Sequence, residues 1–189
     1  INTTHSKYIE LIPLIPPYPA AVPNSYSLEL QIYRGFWMVS WFKHEFAHFE
    51  QQMADERGVE PETLFDELVR SVPPGSEGLI VLPYFSGERT PINDPQAKGV
   101  FFGLNLCHTR AHLFNACLEG VGYGIAQHFD IFDTMQIGTR KVMAVGGGVK
   151  NPKWLQIVSD ISGKIQHTVQ EGTGAAFGDA LLAALSVGL

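Results

Sequence analysis

Apolar positions recur along this chain with two different periods, and these periods predict where its helices and strands lie. From Leu28 to Phe49 apolar residues return every three or four positions, which is typical of one buried helix face. A shorter helix is predicted from Pro61 to Arg70, with the proline in its first turn. The longest helix is predicted from Thr109 to Phe129. The residues that define the first pattern are Leu28, Ile32, Gly35, Val39, Phe42, Phe46 and Phe49.

Small residues form a stripe on the longest predicted helix. Ala116, Gly120 and Gly124 lie four positions apart and therefore share one face. Each glycine costs a helix about 1 kcal/mol relative to alanine. The stripe therefore predicts a neighbouring element packed closely against this face.

Shorter apolar runs predict strands between these helices. Gly78–Phe85 and Gly99–Leu104 have the length of short strands, and the first reads as a buried one. The polar segment Gly87–Lys98 between them is predicted to be a loop. Dense prolines predict a loop with extended stretches over Leu11–Pro23.

The last third of the chain alternates strand and helix. Strands are predicted over Lys141–Val145 and Ile165–Val169, and helices over Asn151–Ser162 and Gly174–Val187. This alternation predicts an α/β fold with parallel strands.

Composition and charge narrow the class of protein. The 189 residues are 45% hydrophobic and 17% charged, which is typical of a globular chain of one domain. A net charge of −6 argues against a general nucleic-acid binder, and no apolar segment is long enough for a membrane span. Without a signal peptide, a cytoplasmic location is expected. Cys107 and Cys117 are expected to be reduced and buried.

A glycine turn joins the strand ending at Val145 to the next helix. Glycine allows a ligand to approach the backbone closely, and a helix N-terminus favours anions. A phosphate, ribose or adenine could therefore bind at Gly146, Gly147 and Gly148. The alternative is a tight structural turn capped by Asn151, with Pro152 in the first helical position.

Two known phosphate-binding motifs can be compared with this turn. A phosphate loop requires Gly-Lys-Ser/Thr at the start of the helix, whereas Gly148 is followed by Val-Lys-Asn. A dinucleotide-binding fingerprint fits Gly146, Gly148 and the acidic Glu171, but Asn151 occupies the position of its third glycine. The second motif therefore stays open as an alternative.

Polar residues also cluster upstream of the glycine turn. They could act as acids, bases or metal ligands, although an arginine between two histidines opposes cation binding. The structural alternative is a network between Arg89 and carboxylates, together with N-capping of the long helix. The remaining histidines are interpreted as surface or incidental residues. The cluster comprises Glu88, Arg89, Asp94, His108, Arg110 and His112, and the other histidines are His5, His44, His48, His128 and His167.

Several of these segments resemble a known family. Ser86–Pro95, Lys98–Leu104 and His108–Leu113 together resemble the second signature of the FGGY carbohydrate kinases, in its xylulokinase-like form. Gly146–Trp154 resembles the adenosine motif of that family, and Glu171–Ala184 resembles its terminal helix. The resemblance implies an actin-like ATPase fold, related to ribonuclease H, with a mixed sheet flanked by helices.

The resemblance also implies roles for individual residues. It places no catalytic residue and no metal ligand in this chain, and it implies ATP and Mg²⁺ as cofactors. Nucleotide binding is expected at Gly146, Gly147, Gly148 and Asn151. These residues lead into the helix that carries Trp154, Gln156 and Asp160, which also match the family motif. A structural loop near the cleft is expected at Glu88, Arg89, Thr90 and Asp94.

Finally, the resemblance implies a partial domain. Residues 78–189 carry the motifs and residues 1–77 match loosely, so the chain is expected to be the C-terminal portion of a kinase. The chain would transfer phosphate from ATP to a ketopentose such as xylulose or ribulose only together with the missing N-terminal part of the protein. A homodimer is compatible with the resemblance. A dinucleotide-binding half of an oxidoreductase and a noncatalytic binding or assembly module remain the alternatives.

Overall fold

The structure is a computed structural model that describes residues 1–12, 16–169 and 175–188. Within these residues the chain forms short strands and longer helices, and no helix is long and apolar enough to cross a membrane. The strands are β1 (Asn2–His5), β2 (Tyr18–Pro19), β3 (Tyr26–Glu29), β4 (Ile80–Leu82), β5 (Val100–Phe102), β6 (Val142–Ala144) and β7 (Gln166–Thr168). The helices are α1 (Gly35–Phe46), α2 (His48–Arg57), α3 (Pro61–Val69), α4 (Arg110–Thr134), α5 (Pro152–Ser162) and α6 (Ala175–Ser186).

The strands pair in three small sheets. β1, β3 and β2 form an antiparallel sheet with β3 in the centre, and β4 pairs antiparallel with β5. β6 and β7 pair in parallel, with Val142 opposite Gln166. The predicted α/β character and the predicted parallel pairing are therefore confirmed, and the proline-rich β2 lies at a sheet edge, where a missing N–H is tolerated.

Helix α4 is the centre of the fold. It packs against α5, α1 and β4, and its buried face joins the larger core, which includes Phe42, Phe65 and Phe114. A Cβ at Gly120 would lie 2.7 Å from the carbonyl oxygen of Val81, and one at Gly124 would lie 2.8 Å from Cδ1 of Ile32. The small-residue stripe therefore serves close packing, as the sequence predicts.

The predicted helix over 28–49 is partly wrong. Residues 26–29 form β3, because Leu28 and Leu30 alternate into a second core with Phe129 and Phe132 while the strand pairs with β1. The helix begins only at Gly35, after Arg34 in the left-handed conformation with φ 57°. α1 then ends at Phe46, and α2 begins at His48.

The other elements follow the predictions closely, with two corrections. Cys107 is exposed rather than buried, whereas Cys117 is buried, and burial raises the pKa of its thiol to about 12. The predicted strand over Gly78–Phe85 shortens to β4, and only one of its faces is buried. Glu171 and the first predicted residue of the last helix, Gly174, lie outside the described residues.

Candidate functional site

The glycine turn connects β6 to α5 through one turn of 3₁₀ helix. Gly146 has φ +93°, a conformation that favours glycine, and residues Gly147–Lys150 form the 3₁₀ turn. Asn151 then caps α5, because its Oδ1 accepts the backbone N–H of Trp154 at 2.8 Å. Pro152 follows in the first helical position, as the sequence predicts.

The three glycines have different surroundings. A Cβ at Gly146 or Gly147 would have no heavy atom within 4 Å beyond the adjoining residues. A Cβ at Gly148 would lie 3.1 Å from Cζ3 of Trp154 and 3.3 Å from Cζ of Phe36. The first two glycines therefore border open space, while the third packs against aromatic rings.

Two aromatic rings support the turn from α1 and α5. Phe36 and Trp154 pack edge to face, with ring centroids 4.7 Å apart and planes inclined at 86°. Both also line an open cavity of about 220 Å³ together with Ile32, Val121 and Ile125. Nε1 of Trp154 is buried and has no hydrogen-bond partner among the described residues.

Gln156 and Asp160, the other two residues of α5 that match the family motif, form a hydrogen bond with each other. Nε2 of Gln156 donates to Oδ1 of Asp160 at 2.6 Å, one helical turn further along. This exposed pair stabilises the helix surface in the way that neighbours at i and i+4 do.

Glu88 anchors the predicted structural loop. Glu88 is 4% exposed as a residue, and its Oε1 accepts the backbone N–H groups of Tyr33 at 2.8 Å and Arg89 at 2.7 Å. Burial raises the pKa of Glu88, and these backbone hydrogen bonds oppose that rise. The loop is thereby attached to the segment that leads into α1.

Thr90 makes a second attachment to the same segment. Its hydroxyl accepts the N–H of Gln31 at 2.7 Å and donates to the carbonyl of Gln31 at 2.8 Å. Nε2 of His128 donates to the carbonyl of Thr90 at 2.9 Å. His128 is 1% exposed, so the interpretation of this histidine as incidental is wrong.

The expected network between Arg89 and carboxylates is also wrong. The guanidinium of Arg89 donates to Oε1 of Gln31 at 2.8 Å and to the hydroxyl of Tyr18 at 3.3 Å. The carboxylate of the adjacent Glu88 accepts backbone N–H groups instead. Arg89 therefore connects the loop to Tyr18 in β2 and to Gln31, and both of these partners are uncharged.

Asp94 closes the loop on itself. Its carbonyl accepts the N–H of Glu88 at 2.9 Å, and its Oδ1 accepts the N–H of Gln96 at 2.8 Å. Asp94 is exposed, and both of these hydrogen bonds close a local turn within the loop.

His108 and His112, at the start of α4, have structural partners. Nδ1 of His108 accepts the N–H of Asn105 at 3.0 Å, and Nδ1 of His112 accepts the N–H of the N-cap residue Thr109 at 3.1 Å. His108 precedes the helix, and its ring contacts that of His112 with centroids 5.6 Å apart. Arg110 pairs with the buried Glu50 at 2.8 Å. Over residues 1–12, 16–169 and 175–188, no group of three or more His, Cys, Asp or Glu could hold a metal ion.

A continuous chain of contacts joins the loop to the glycine turn. Glu88 and Thr90 bind the backbone of Tyr33 and Gln31, and α1 begins two residues after Tyr33. Phe36, in the first turn of α1, then packs against the glycine turn. Two motifs that lie about sixty residues apart in the sequence are thus parts of one structure.

A buried polar cluster was not predicted from the sequence. Oε1 of Glu119 accepts the N–H of Gly75 at 2.8 Å, and its Oε2 accepts the hydroxyl of Ser76 at 2.7 Å. Asn115 donates to that hydroxyl at 3.0 Å. Asn115 and Glu119 lie one turn apart on α4, and this spacing is the only sequence signal that could have indicated the cluster.

Comparison with known proteins agrees with this arrangement of motifs. The C-terminal domain of the FGGY family of carbohydrate kinases matches residues 7–187. The chain belongs to the FGGY family. The FGGY signature predicted from the loop and the adenosine motif predicted from the glycine turn both fall within this match.

The names of individual relatives indicate different substrates. A xylulose kinase from Escherichia coli is 44% identical over 112 residues, which cover 59% of this chain and 23% of the relative. A gluconokinase from Bacillus subtilis is 35% identical over 125 residues, which cover 66% of this chain and 24% of the relative. The chain therefore spans about a quarter of the length of the curated relatives that it matches.

Solved structures of the family share the fold. The crystal structure of a xylulose kinase from Rhodospirillum rubrum superimposes with a TM-score of 0.78 at 27% identity. The match covers 99% of this chain and 36% of that structure. The predicted actin-like fold class is confirmed by this likeness.

Proposed function

We propose that this chain is the nucleotide-binding part of an ATP-dependent sugar kinase. The observation that carries the proposal is the glycine turn, where Gly146 and Gly147 border open space beside Phe36 and Trp154. The family membership supports the kinase over a dinucleotide-binding half of an oxidoreductase and over a noncatalytic module.

The geometry of the turn fits the adenosine part of ATP. A flat base and a ribose need a backbone that they can approach closely, and a Cβ at either of the first two glycines would fill that space. The first hydrogen bond of the 3₁₀ turn runs from the N–H of Val149 to the carbonyl of Gly146 at 3.3 Å, and the preceding N–H groups of Gly147 and Gly148 are proposed to donate to a ligand oxygen. Asn151 uses its side chain to cap α5 and so holds the turn in place.

The residues of this chain bind and orient the nucleotide rather than perform the chemistry. In this family-based proposal, the general base and the contacts to the phosphates lie in a part of the protein outside this chain. Mg²⁺ would offset the charge of the phosphates when bound. The described residues offer no cluster of ligands for it, so its protein ligands are also expected elsewhere.

The acceptor is proposed to be a ketopentose such as xylulose or ribulose, in a cytoplasmic enzyme. The xylulose kinase relative with 44% identity supports this choice. A gluconokinase relative with 35% identity supports gluconate as a second candidate. Both candidates require the same nucleotide site, so they differ only in contacts made outside the glycine turn.

The full-length protein tests both parts of the proposal. ADP formation from ATP is measured with xylulose, ribulose and gluconate as acceptors at equal concentrations. We expect turnover with one ketopentose to exceed turnover with gluconate by at least tenfold. Preferential turnover of gluconate would contradict the acceptor, and the absence of turnover with all three would contradict the sugar kinase assignment.

A further inference from the structure

Helix α1 begins without the local groups that usually fix the N-terminus of a helix. Its N-cap residue Arg34 lies in the left-handed region with φ 57° and forms no side-chain cap, and the first turn carries no acidic residue. A residue other than glycine is strained in this region and persists there only where its surroundings hold it. The direction of the first turn of α1 therefore depends on groups outside the helix.

Glu88 provides such a group from the loop. Its Oε1 accepts the N–H of Tyr33, the residue before the N-cap, at 2.8 Å, and the N–H of Arg89 at 2.7 Å. Glu88 is buried, and in the described part of the chain no cationic side chain pairs with its carboxylate. A carboxylate near a helix N-terminus also complements the helix dipole. Glu88 therefore binds the start of α1, where the helix itself has no acidic group.

The backbone between Tyr33 and Phe36 is short and closely packed. Only Arg34 and Gly35 separate the two residues, and a Cβ at Gly35 would lie 3.0 Å from Cγ2 of Ile32. The ring of Phe36 then packs against the glycine turn at Gly148. A shift in the backbone of Tyr33 is therefore transmitted to the Phe36 ring, because the segment between them has little room to absorb it.

We propose that Glu88 is a positioning residue for the nucleotide site, an inference that rests on the proposed binding of adenosine at the glycine turn. By holding the N–H of Tyr33, Glu88 fixes the first turn of α1. Phe36 then supports Gly148 and keeps the open face of the glycine turn in place for adenosine. Glu88 makes no contact with the nucleotide in this role and acts only through Phe36.

The alternative is a purely local role, in which Glu88 only closes its own loop through the N–H of Arg89. A local role predicts lower stability without a preference between the two substrates. The positioning role predicts weaker binding of ATP alone, because the sugar makes its contacts outside the glycine turn.

Steady-state kinetics of the full-length protein separate these two roles. We expect Glu88→Ala to raise the KM for ATP about tenfold, while kcat and the KM for the sugar stay within about twofold. Glu88→Gln keeps an oxygen that can accept the N–H of Tyr33, so the KM for ATP should rise only about threefold. Asp94→Asn is the matched control, because it makes the same change of charge in the same loop and its amide oxygen can still accept the N–H of Gln96. The control should keep the parent KM for ATP.

Coupling to Phe36 provides a second test, which a local role would not pass. In the Phe36→Ala background, Glu88→Ala should raise the KM for ATP by less than about twofold, because the ring through which Glu88 acts is already absent. The same factor in both backgrounds would overturn the proposal, as would equal rises in both KM values for Glu88→Gln. If Glu88→Ala does not fold, the cycle uses Glu88→Gln, with about a threefold rise expected in the parent and none in Phe36→Ala.

Gly147→Val distinguishes a failure of this inference from a failure of the proposed function. If Gly147→Val raises the KM for ATP and neither Glu88 variant does, the turn binds adenosine but Glu88 does not position it. If Gly147→Val leaves the KM for ATP unchanged, adenosine does not bind at the turn. The proposed nucleotide site is then wrong together with the role of Glu88, whatever the Glu88 variants do.

Discussion

Phe36 meets the ring of Trp154 edge to face, with 4.7 Å between the centroids, and so connects the first turn of α1 to the first turn of α5. Gly148 lies against both rings. The contact fixes the glycine turn between two helices that both pack on α4. The position of the proposed nucleotide site therefore depends on α1 as well as on the glycine motif itself.

Replacing Phe36 with Ala should loosen the turn. Loss of the aromatic pair and of its packing should lower the free energy of unfolding by about 2 kcal/mol. The KM for ATP should rise more than the KM for the sugar, because the nucleotide side of the site loses its support. Chemical denaturation and steady-state kinetics measure the two effects. Trp37→Ala, which removes a more exposed ring, serves as the control and should change neither KM.

Thr90→Val should destabilise the protein through the backbone of Gln31. The valine keeps the shape of the side chain but leaves the N–H and carbonyl of Gln31 without the hydroxyl that bonds both. Since unpaired buried polar groups are costly, we expect a loss of about 2–3 kcal/mol in the free energy of unfolding. Ser86→Ala, an exposed hydroxyl in the same loop, should stay within about 0.5 kcal/mol. Equal losses for both variants would mean that the two hydrogen bonds between Thr90 and Gln31 contribute little to the free energy of unfolding.

Arg89→Ala should affect stability rather than catalysis. The guanidinium bonds only Gln31 and Tyr18 in the described structure, so its loss should lower the free energy of unfolding by about 1 kcal/mol. The kcat should stay within about twofold of the parent value. A variant that melts like the parent protein but loses most of its kcat would show that Arg89 belongs to the catalytic machinery.

The buried His128 should make stability depend on pH. Burial lowers the pKa of His128 below its ordinary value of 6.5. The unfolded chain therefore takes up this proton at a higher pH than the folded chain does. As a result, the free energy of unfolding should fall as the pH drops below about 6.5. Glu88 acts in the opposite direction, because burial raises its pKa above the ordinary value of 4.5. Its contribution to the free energy of unfolding is present below pH 4.5 and is lost as the pH rises through the raised pKa.

His128→Gln separates the contribution of His128 to the pH dependence of stability from that of Glu88. The glutamine can still donate to the carbonyl of Thr90, but it does not titrate. The stability advantage of the parent over the variant should therefore shrink as the pH is lowered from about 7 to about 5. Urea denaturation of both proteins across this range measures the difference. A difference that does not change with pH would show that His128 titrates alike in both states.

Local sequence signals were sufficient for much of the fold. Pro61 and Pro152 mark the first turns of α3 and α5, and Asn151 caps α5 as predicted. Gly120 and Gly124 indicated the close packing on α4. These features depend on a residue and its immediate neighbours, so the sequence displays them directly.

Contacts between distant segments could not be predicted in the same way. Residues 26–29 become a strand because β1 pairs with them, more than twenty positions away, and this tertiary pairing overrides the helical spacing. The bond from Arg89 to Gln31 spans 58 positions, and the sequence offered nearer carboxylates instead. His128 could have been recognised as buried, because it shares the helical spacing of Val121, Ile125 and Phe132 on α4.

Gly147→Val is the sharpest probe of whether adenosine binds over the open face of the glycine turn. Gly147 is suitable because its φ is not positive and a Cβ there would have no heavy atom within 4 Å beyond the adjoining residues, so a side chain can be added. Gly146 and Gly148 are unsuitable, since the first has φ +93° and the second abuts Trp154. Gly138→Val is the matched control, because Gly138 also borders open space but lies away from the turn.

The measurement is the ratio of the KM values for ATP and for the sugar in the full-length enzyme. We expect Gly147→Val to raise the KM for ATP at least tenfold, or about 1.4 kcal/mol. The KM for the sugar and the melting temperature should remain close to those of Gly138→Val and of the parent. If Gly147→Val leaves the KM for ATP unchanged, or raises both KM values equally in a protein of parental stability, adenosine does not bind at this turn.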